Sequence, residues 1–147
     1  MCRMEEEFRT LTGYRDAEKK QITSAMEDYL EMIFRMAGEG VPIRVGDLAR
    51  RLHVSPPSAT KMIANLAECG CVDAARYGYV TLTEYGRSVG DYLMKRHDTV
   101  HRFFCTLNGT ESELEQTEKV EHFILPRTLI AMEGFLAQRA DTSMGKS

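Results

Sequence analysis

No stretch of these 147 residues has the run of about 18 apolar residues that a bilayer-spanning helix requires, so no membrane segment is expected. The first 21 residues, MCRMEEEFRTLTGYRDAEKKQ, hold no apolar core and do not form a secretory signal. They read as a charged extension outside the folded part. Four cysteines (Cys2, Cys69, Cys71, Cys105) lack the spacing of a disulfide framework, and Cys69-Gly-Cys71 is not a zinc or redox motif. Reduced, packed thiols in a cytoplasmic protein are expected. No phosphate-cradling glycine loop and no nucleophile–base arrangement suggest catalysis, so the chain reads as a non-enzyme. Excess positive charge is missing too. A formal net charge of −3 argues against constitutive, purely electrostatic binding to nucleic acid.

What is present is a succession of short helical patterns around one β-prone stretch. Ser24 and Glu27 have capping-box spacing, and Met26, Leu30, Ile33 and Ala37 recur at helical period before Gly38 and Gly40. Val45, Leu48, Ala49 and Leu52 predict a short second helix. In HVSPPSAT, Ser55 fits an N-cap with Pro56 at the first helical position, where its missing N–H does no harm. Ala59, Met62, Ile63 and Leu66 form the apolar side of that third helix, and Gly70 ends it. Helix, tight turn, helix is the pattern of a helix-turn-helix. The stretch CVDAARYGYVTLT, with Tyr77-Gly78 as its turn, then reads as a hairpin, the wing of a winged helix.

Thr83 and Glu84 open a long helix carrying Val89, Leu93, Val100, Phe103 and Leu107, closed by Asn108-Gly109. Thr110 and Glu113 have the spacing of a second capping box, with a helix expected to continue until Pro126. Leu129, Ile130, Met132 and Leu136 mark one more.

Two sets of residues carry candidate chemistry. The third helix presents Pro57, Ser58, Thr60, Lys61 and Asn65 away from its apolar side, a composition suited to base edges and phosphates in a major groove. Arg76 near the wing tip suits a backbone or minor-groove contact. Arg44, Arg50, Arg51, Lys61, Arg76 and Arg87 concentrate positive charge in this part of an otherwise acidic chain.

The second set is acidic. Asp28 and Glu31 lie one turn apart on the first helix, and His97 lies in the long one. In EKVEHFIL, Glu118, Glu121 and His122 would share an arc of about 100° if the segment is a regular helix. Oxygen and nitrogen donors without sulfur suit Mn²⁺, Fe²⁺ or Zn²⁺. Spacing alone leaves open that Asp28 and Glu31 are a solvated face and His97 a packed histidine.

The segments SAMEDYLEMIF, LTEYGRSVGDYLMKRHDTVHRFF and EKVEHFIL, with the helix-turn-helix and wing between them, resemble the diphtheria toxin repressor family over residues 22–137. Its manganese-responsive branch, the manganese transport regulators, is the most similar. The resemblance implies a mostly α fold with a small β-hairpin wing. It comprises a winged helix-turn-helix domain at 22–83, a linker helix with a helical metal-binding and dimerisation domain at 84–140, and a loose tail at 141–147.

It also implies that Asp28, Glu31, His97, Glu118, Glu121 and His122 hold metal at the junction of the domains, about two ions per chain. The iron-responsive branch has a methionine at the position of Asp28 and a cysteine at that of Glu118; oxygens at both favour Mn²⁺, with Fe²⁺ and Zn²⁺ as alternatives. The iron branch's additional histidine falls here at Leu114. His101 stands where relatives often carry a glutamate and is a candidate additional ligand, although a satisfied helix histidine is the preferred reading.

The function implied is Mn²⁺-dependent repression of manganese-uptake genes by a homodimer on a palindromic DNA operator. A winged-helix regulator of an organic ligand and a di-metal enzyme are the rival readings. The enzyme reading fits poorly, because ferritin-like sites place histidine three residues after glutamate, and here His122 follows Glu121 directly.

Overall fold

A computed structural model of the chain describes residues 22–74 and 78–145. The first helix, α1 (Ser24–Gly38), starts one residue earlier than the capping-box spacing suggests. Thr23, not Ser24, is the N-cap, and its Oγ1 accepts the Met26 N–H at 3.2 Å. Both residues can cap. Thr23 wins because its extended backbone lets Ser24 enter the helix.

After β1 (Ile43–Arg44) come α2 (Val45–Leu52) and α3 (Pro56–Glu68). The turn between the helices is made by His53, which adopts the left-handed conformation at φ 55°. Ser55 caps α3, accepting from the Ser58 N–H at 3.3 Å. β2 (Val72–Ala74) and β3 (Tyr79–Leu82) form the antiparallel wing hairpin, with Val72 opposite Leu82 and Ala74 opposite Val80. The sequence reading missed β1, which pairs with β3 through Ile43–Val80 and Arg44–Tyr79 and makes the sheet three-stranded. Two residues are too few to carry a period-2 signal. The wing-tip candidate Arg76 and the amino-terminal extension lie outside the described residues.

The long helix α4 (Glu84–Asn108) is capped by Thr83, whose hydroxyl accepts from the Gly86 N–H at 2.9 Å and donates to the Gly70 carbonyl at 2.6 Å. Gly109, at φ 66°, follows its end. Then come α5 (Leu114–Val120), a 3₁₀ turn (Glu121–Phe123) and α6 (Pro126–Met144). Helical structure thus continues to Met144, beyond residue 140 where a loose tail was expected.

The expected continuous helix up to Pro126 is corrected in two ways. Thr110 does not cap α5; its hydroxyl donates to Glu113 Oε1 at 2.7 Å, and the helix begins later, at Leu114. At the other end the winding tightens at Glu121. A residue before proline is pushed out of the helical region, and Leu125 is extended at ψ 150°. Ile124 has left the helix as well, at ψ 118°, so the last turn closes as 3₁₀.

The chain forms two compact units that divide inside α4, one ending at Leu93 and the other beginning at Met94. The core of the first unit gathers Leu30 and Ile33 of α1, Leu48 of α2, Ile63 and Leu66 of α3, Val80 of the wing, and Val89 and Leu93 of α4. Two glycines let α4 lie close within this unit. A Cβ on Gly86 would fall 1.8 Å from the Cys71 carbonyl oxygen, and one on Gly90 would fall 2.6 Å from the Phe34 ring. In the second unit Val100, Leu129, Met132 and Leu136 are buried. The Phe103 and Phe135 rings meet edge to face at 5.4 Å.

Candidate metal centre and nucleic-acid interface

Within the second unit, the 3₁₀ turn brings the carboxylate of Glu121 against the imidazoles of His97 and His122. Glu121 is 3% exposed. Its Oε2 lies 2.8 Å from His97 Nδ1, and its Oε1 lies 4.0 Å from His122 Nε2. A buried carboxylate needs a donor or a cation. His97 meets that need by donating through Nδ1, which leaves the lone pair of its neutral ring on Nε2. Metal-ligating histidines are commonly oriented in this way, with the second nitrogen bonded to a carboxylate.

His122 is held differently. The Arg96 guanidinium lies 3.2 Å from its Nδ1. A guanidinium can only donate, so Nδ1 is the accepting nitrogen in this contact. Sequence reasoning missed Arg96. It is the residue before His97 in KRHDTVH, and charge alone does not distinguish it from Lys95.

The tightened winding separates the residues of EKVEHFIL. Glu121 is buried and His122 largely so, whereas Glu118 stays exposed in the last part of α5. Leu114 and Leu125, at either end of this stretch, are 48% and 42% exposed. His101 is engaged on its other side: Nε2 accepts the Glu113 N–H at 3.1 Å, and Cys105 Sγ lies 3.6 Å away. Glu113 in turn has its carboxyl held below the usual range by hydrogen bonds from Thr110 and Asn108, which ties the start of α5 to the end of α4. In the first unit, Asp28 is exposed on α1, and Glu31 is largely buried, with Arg35 at 3.5 Å.

The donor set of the second unit fits a divalent cation. Two imidazoles and a buried carboxylate, without sulfur, suit metals of borderline to hard character. A bound cation would also compensate the buried charge more fully than one neutral imidazole does.

On α3, Pro57, Ser58, Thr60 and Lys61 are exposed and Asn65 is half-buried. The helix start has an unusual property. Pro56 and Pro57 have no N–H, the Ser58 N–H is taken by Ser55 Oγ, and that of Ala59 by the Ser55 carbonyl at 3.0 Å. The amides that usually make a helix N-terminus a phosphate site are therefore spent or missing, and Lys61 is the basic side chain that this helix exposes. Thr60 bends its hydroxyl back to the Pro56 carbonyl at 3.0 Å, leaving its methyl and oxygen lone pairs outward. A further basic residue stands on the sheet: the Arg44 guanidinium lies 5.0 Å from the Tyr79 ring centroid and donates to its hydroxyl at 2.9 Å. Only the concentration of arginines in this region hinted at it.

Comparison with known proteins agrees with this architecture. Residues 21–80 match the family model "Iron dependent repressor, N-terminal DNA binding domain". Over these residues the chain is similar to the DNA-binding domain of the iron-dependent repressors. Solved structures with the same fold include the manganese regulator SloR, at 24% identity and TM-score 0.67, covering 76% of this chain and 53% of SloR. The metal-dependent transcriptional regulator MtsR is similar at 24% identity and TM-score 0.68, over 76% of this chain and 53% of its own. The IdeR of T. acidophilum matches at 19% identity and TM-score 0.65, over 80% and 55%. The chain thus spans about half the length of these structures. Among the described residues no helix is long and apolar enough to cross a membrane.

Proposed function

We propose that this chain is a DNA-binding transcriptional repressor activated by Mn²⁺, acting as a homodimer on a palindromic operator of manganese-uptake genes. The observation that carries the metal half of this reading is the buried Glu121 carboxylate between the His97 and His122 rings. The DNA half rests on the winged helix-turn-helix and its family.

The residues divide the work. Glu121 fixes His97 with its Nε2 lone pair available to a ligand. Asp28, Glu31 and Glu118 contribute further oxygens in this reading, and an oxygen-rich set without sulfur favours Mn²⁺ over softer ions. When bound, the ion supplies positive charge that the carboxylates lack. Two Mn²⁺ per chain would change the formal charge from −3 to +1, easing approach to phosphate.

Ligands drawn from both units would restrict the orientation of each α3 in a dimer. Two recognition helices read a palindrome only when they fit successive major grooves about 34 Å apart. Metal activation is then a population shift toward that spacing. Supporting the choice of ion, SloR is a manganese regulator and ScaR a manganese-activated repressor. ScaR has also been seen with bound Zn²⁺, so Zn²⁺ and Fe²⁺ belong in the test.

Calorimetric titration of the metal-free protein with Mn²⁺, Zn²⁺ and anaerobic Fe²⁺ tests the reading. Saturable Mn²⁺ binding that is crippled by Glu121→Gln is expected. Tighter Fe²⁺ binding with negligible Mn²⁺ affinity would reassign the ion, and no specific binding of any of the three would overturn the metal reading.

A further inference from the structure

The arginines gathered in the first unit are not equivalent. Arg50 is bonded to Asp47, and Arg51 donates to both carboxylate oxygens of Glu39, at 2.7 and 2.6 Å. An arginine committed to a carboxylate brings little net charge to a phosphate, and freeing it breaks a charge-assisted bond. Arg44 is held in another way. Its NH2 group donates to the Tyr79 hydroxyl at 2.9 Å, and its guanidinium carbon stands 5.0 Å from the centroid of the same ring. Asp47 acts on it only through space. A phenol is neutral, so Arg44 keeps its positive charge while its long side chain is held at two points. A guanidinium has five N–H donors, and the bond to Tyr79 uses one of them.

The place of this pair in the fold gives the charge a use. Arg44 ends β1 at the edge of the three-stranded sheet and is the N-cap residue of α2, the first helix of the helix-turn-helix. Tyr79, its cross-strand partner, opens β3 of the wing hairpin. In helix-turn-helix proteins the second helix enters the major groove while the first crosses the backbone of the duplex. Arg44 is exposed and Tyr79 half-buried, so the ring supports the guanidinium from the sheet.

We infer that Arg44 is a phosphate contact of the DNA interface and that Tyr79 is the positioning residue that holds it for that contact. The inference rests on the DNA-binding reading above. An unrestrained arginine loses rotamer freedom when it docks on a phosphate. One already held by a ring and a hydroxyl has given up part of that freedom beforehand, and such preorganisation raises affinity without adding a contact. A purely structural clamp between β1 and β3 predicts otherwise: Tyr79 would then matter to folding, and not through Arg44.

The test uses the full chain as wild type, Arg44→Ala, Tyr79→Phe and the double variant. Affinity is measured over a series of salt concentrations on a duplex selected from a fragment pool with Mn²⁺ present. Phenylalanine keeps the ring beneath the guanidinium and removes the hydroxyl alone. Arg44→Ala should weaken binding about tenfold and lower the slope of log affinity against log salt by about 0.9, the loss of one phosphate contact. Tyr79→Phe should keep the wild-type slope, because the charge remains, and weaken binding about threefold. In the Arg44→Ala background the same change should have no effect, the signature of two residues acting as one unit.

A wild-type slope in Arg44→Ala, or an equal loss on Tyr79→Phe with and without Arg44, removes this inference and leaves the DNA-binding reading intact. A wild type that selects no duplex from the pool removes the DNA-binding reading itself.

Discussion

Glu121 has an imidazole on either side, and its side chain is withdrawn from water. Glu121→Gln keeps the shape but removes the charge; Mn²⁺ affinity should fall by about 10- to 100-fold, read by calorimetry. This residue was legible in the sequence as one of three candidates in EKVEHFIL, but its burial was not, because the burial depends on the change of winding at that residue. Gly86 is a second sensitive position. Gly86→Ala would drive a methyl into the Cys71 carbonyl and should lower the unfolding free energy by about 3 kcal/mol, measured by urea titration. Tyr85 is the third. Burial pushes its phenol from the ordinary 10.0 to about 12. The folded state therefore keeps the proton that the unfolded chain gives up. The associated stability is fully present below pH 10 and is lost as pH rises through about 12. Urea midpoints should decline across that window, and Tyr85→Phe should flatten the decline.

At the scale of elements, caps and apolar periods carried most of the fold. Ser55 and Pro56 announce α3, Gly109 follows the end of α4, and Leu30, Ile33, Leu48, Ile63 and Leu66 were all placed on buried sides by period alone. The reading failed where two local signals compete. Thr23 and Ser24 can both cap α1, and the extended backbone at Thr23 decides. Thr23→Ala should cost about 1 kcal/mol in chemical denaturation, while Ser24→Ala, inside the helix, should be nearly neutral. Pro126 was read as the stop of a regular helix, yet its influence begins earlier, at Ile124 and Leu125, and tightens Glu121–Phe123 into 3₁₀. β1 escaped because two residues make no pattern; the sheet partner, Val80 and Tyr79, defines it.

At the scale of the whole molecule, an acidic chain carries a proline-opened helix and a buried set of nitrogen and oxygen donors. On an α3 without available N-terminal amides, Lys61 is the single basic side chain, and the proposed DNA binding would draw on it. Lys61→Ala should weaken DNA binding similarly across sequences and reduce the salt slope by about one phosphate contact. On the proposed function, divalent metal controls DNA affinity. The most direct measurement selects a DNA site from a fragment pool with Mn²⁺ present, then compares its affinity for the wild-type chain with and without Mn²⁺ at one fixed ionic strength. Binding should be strong with Mn²⁺ and at least tenfold weaker without it, a difference lost in Glu121→Gln. Equal affinity in the two conditions would contradict it.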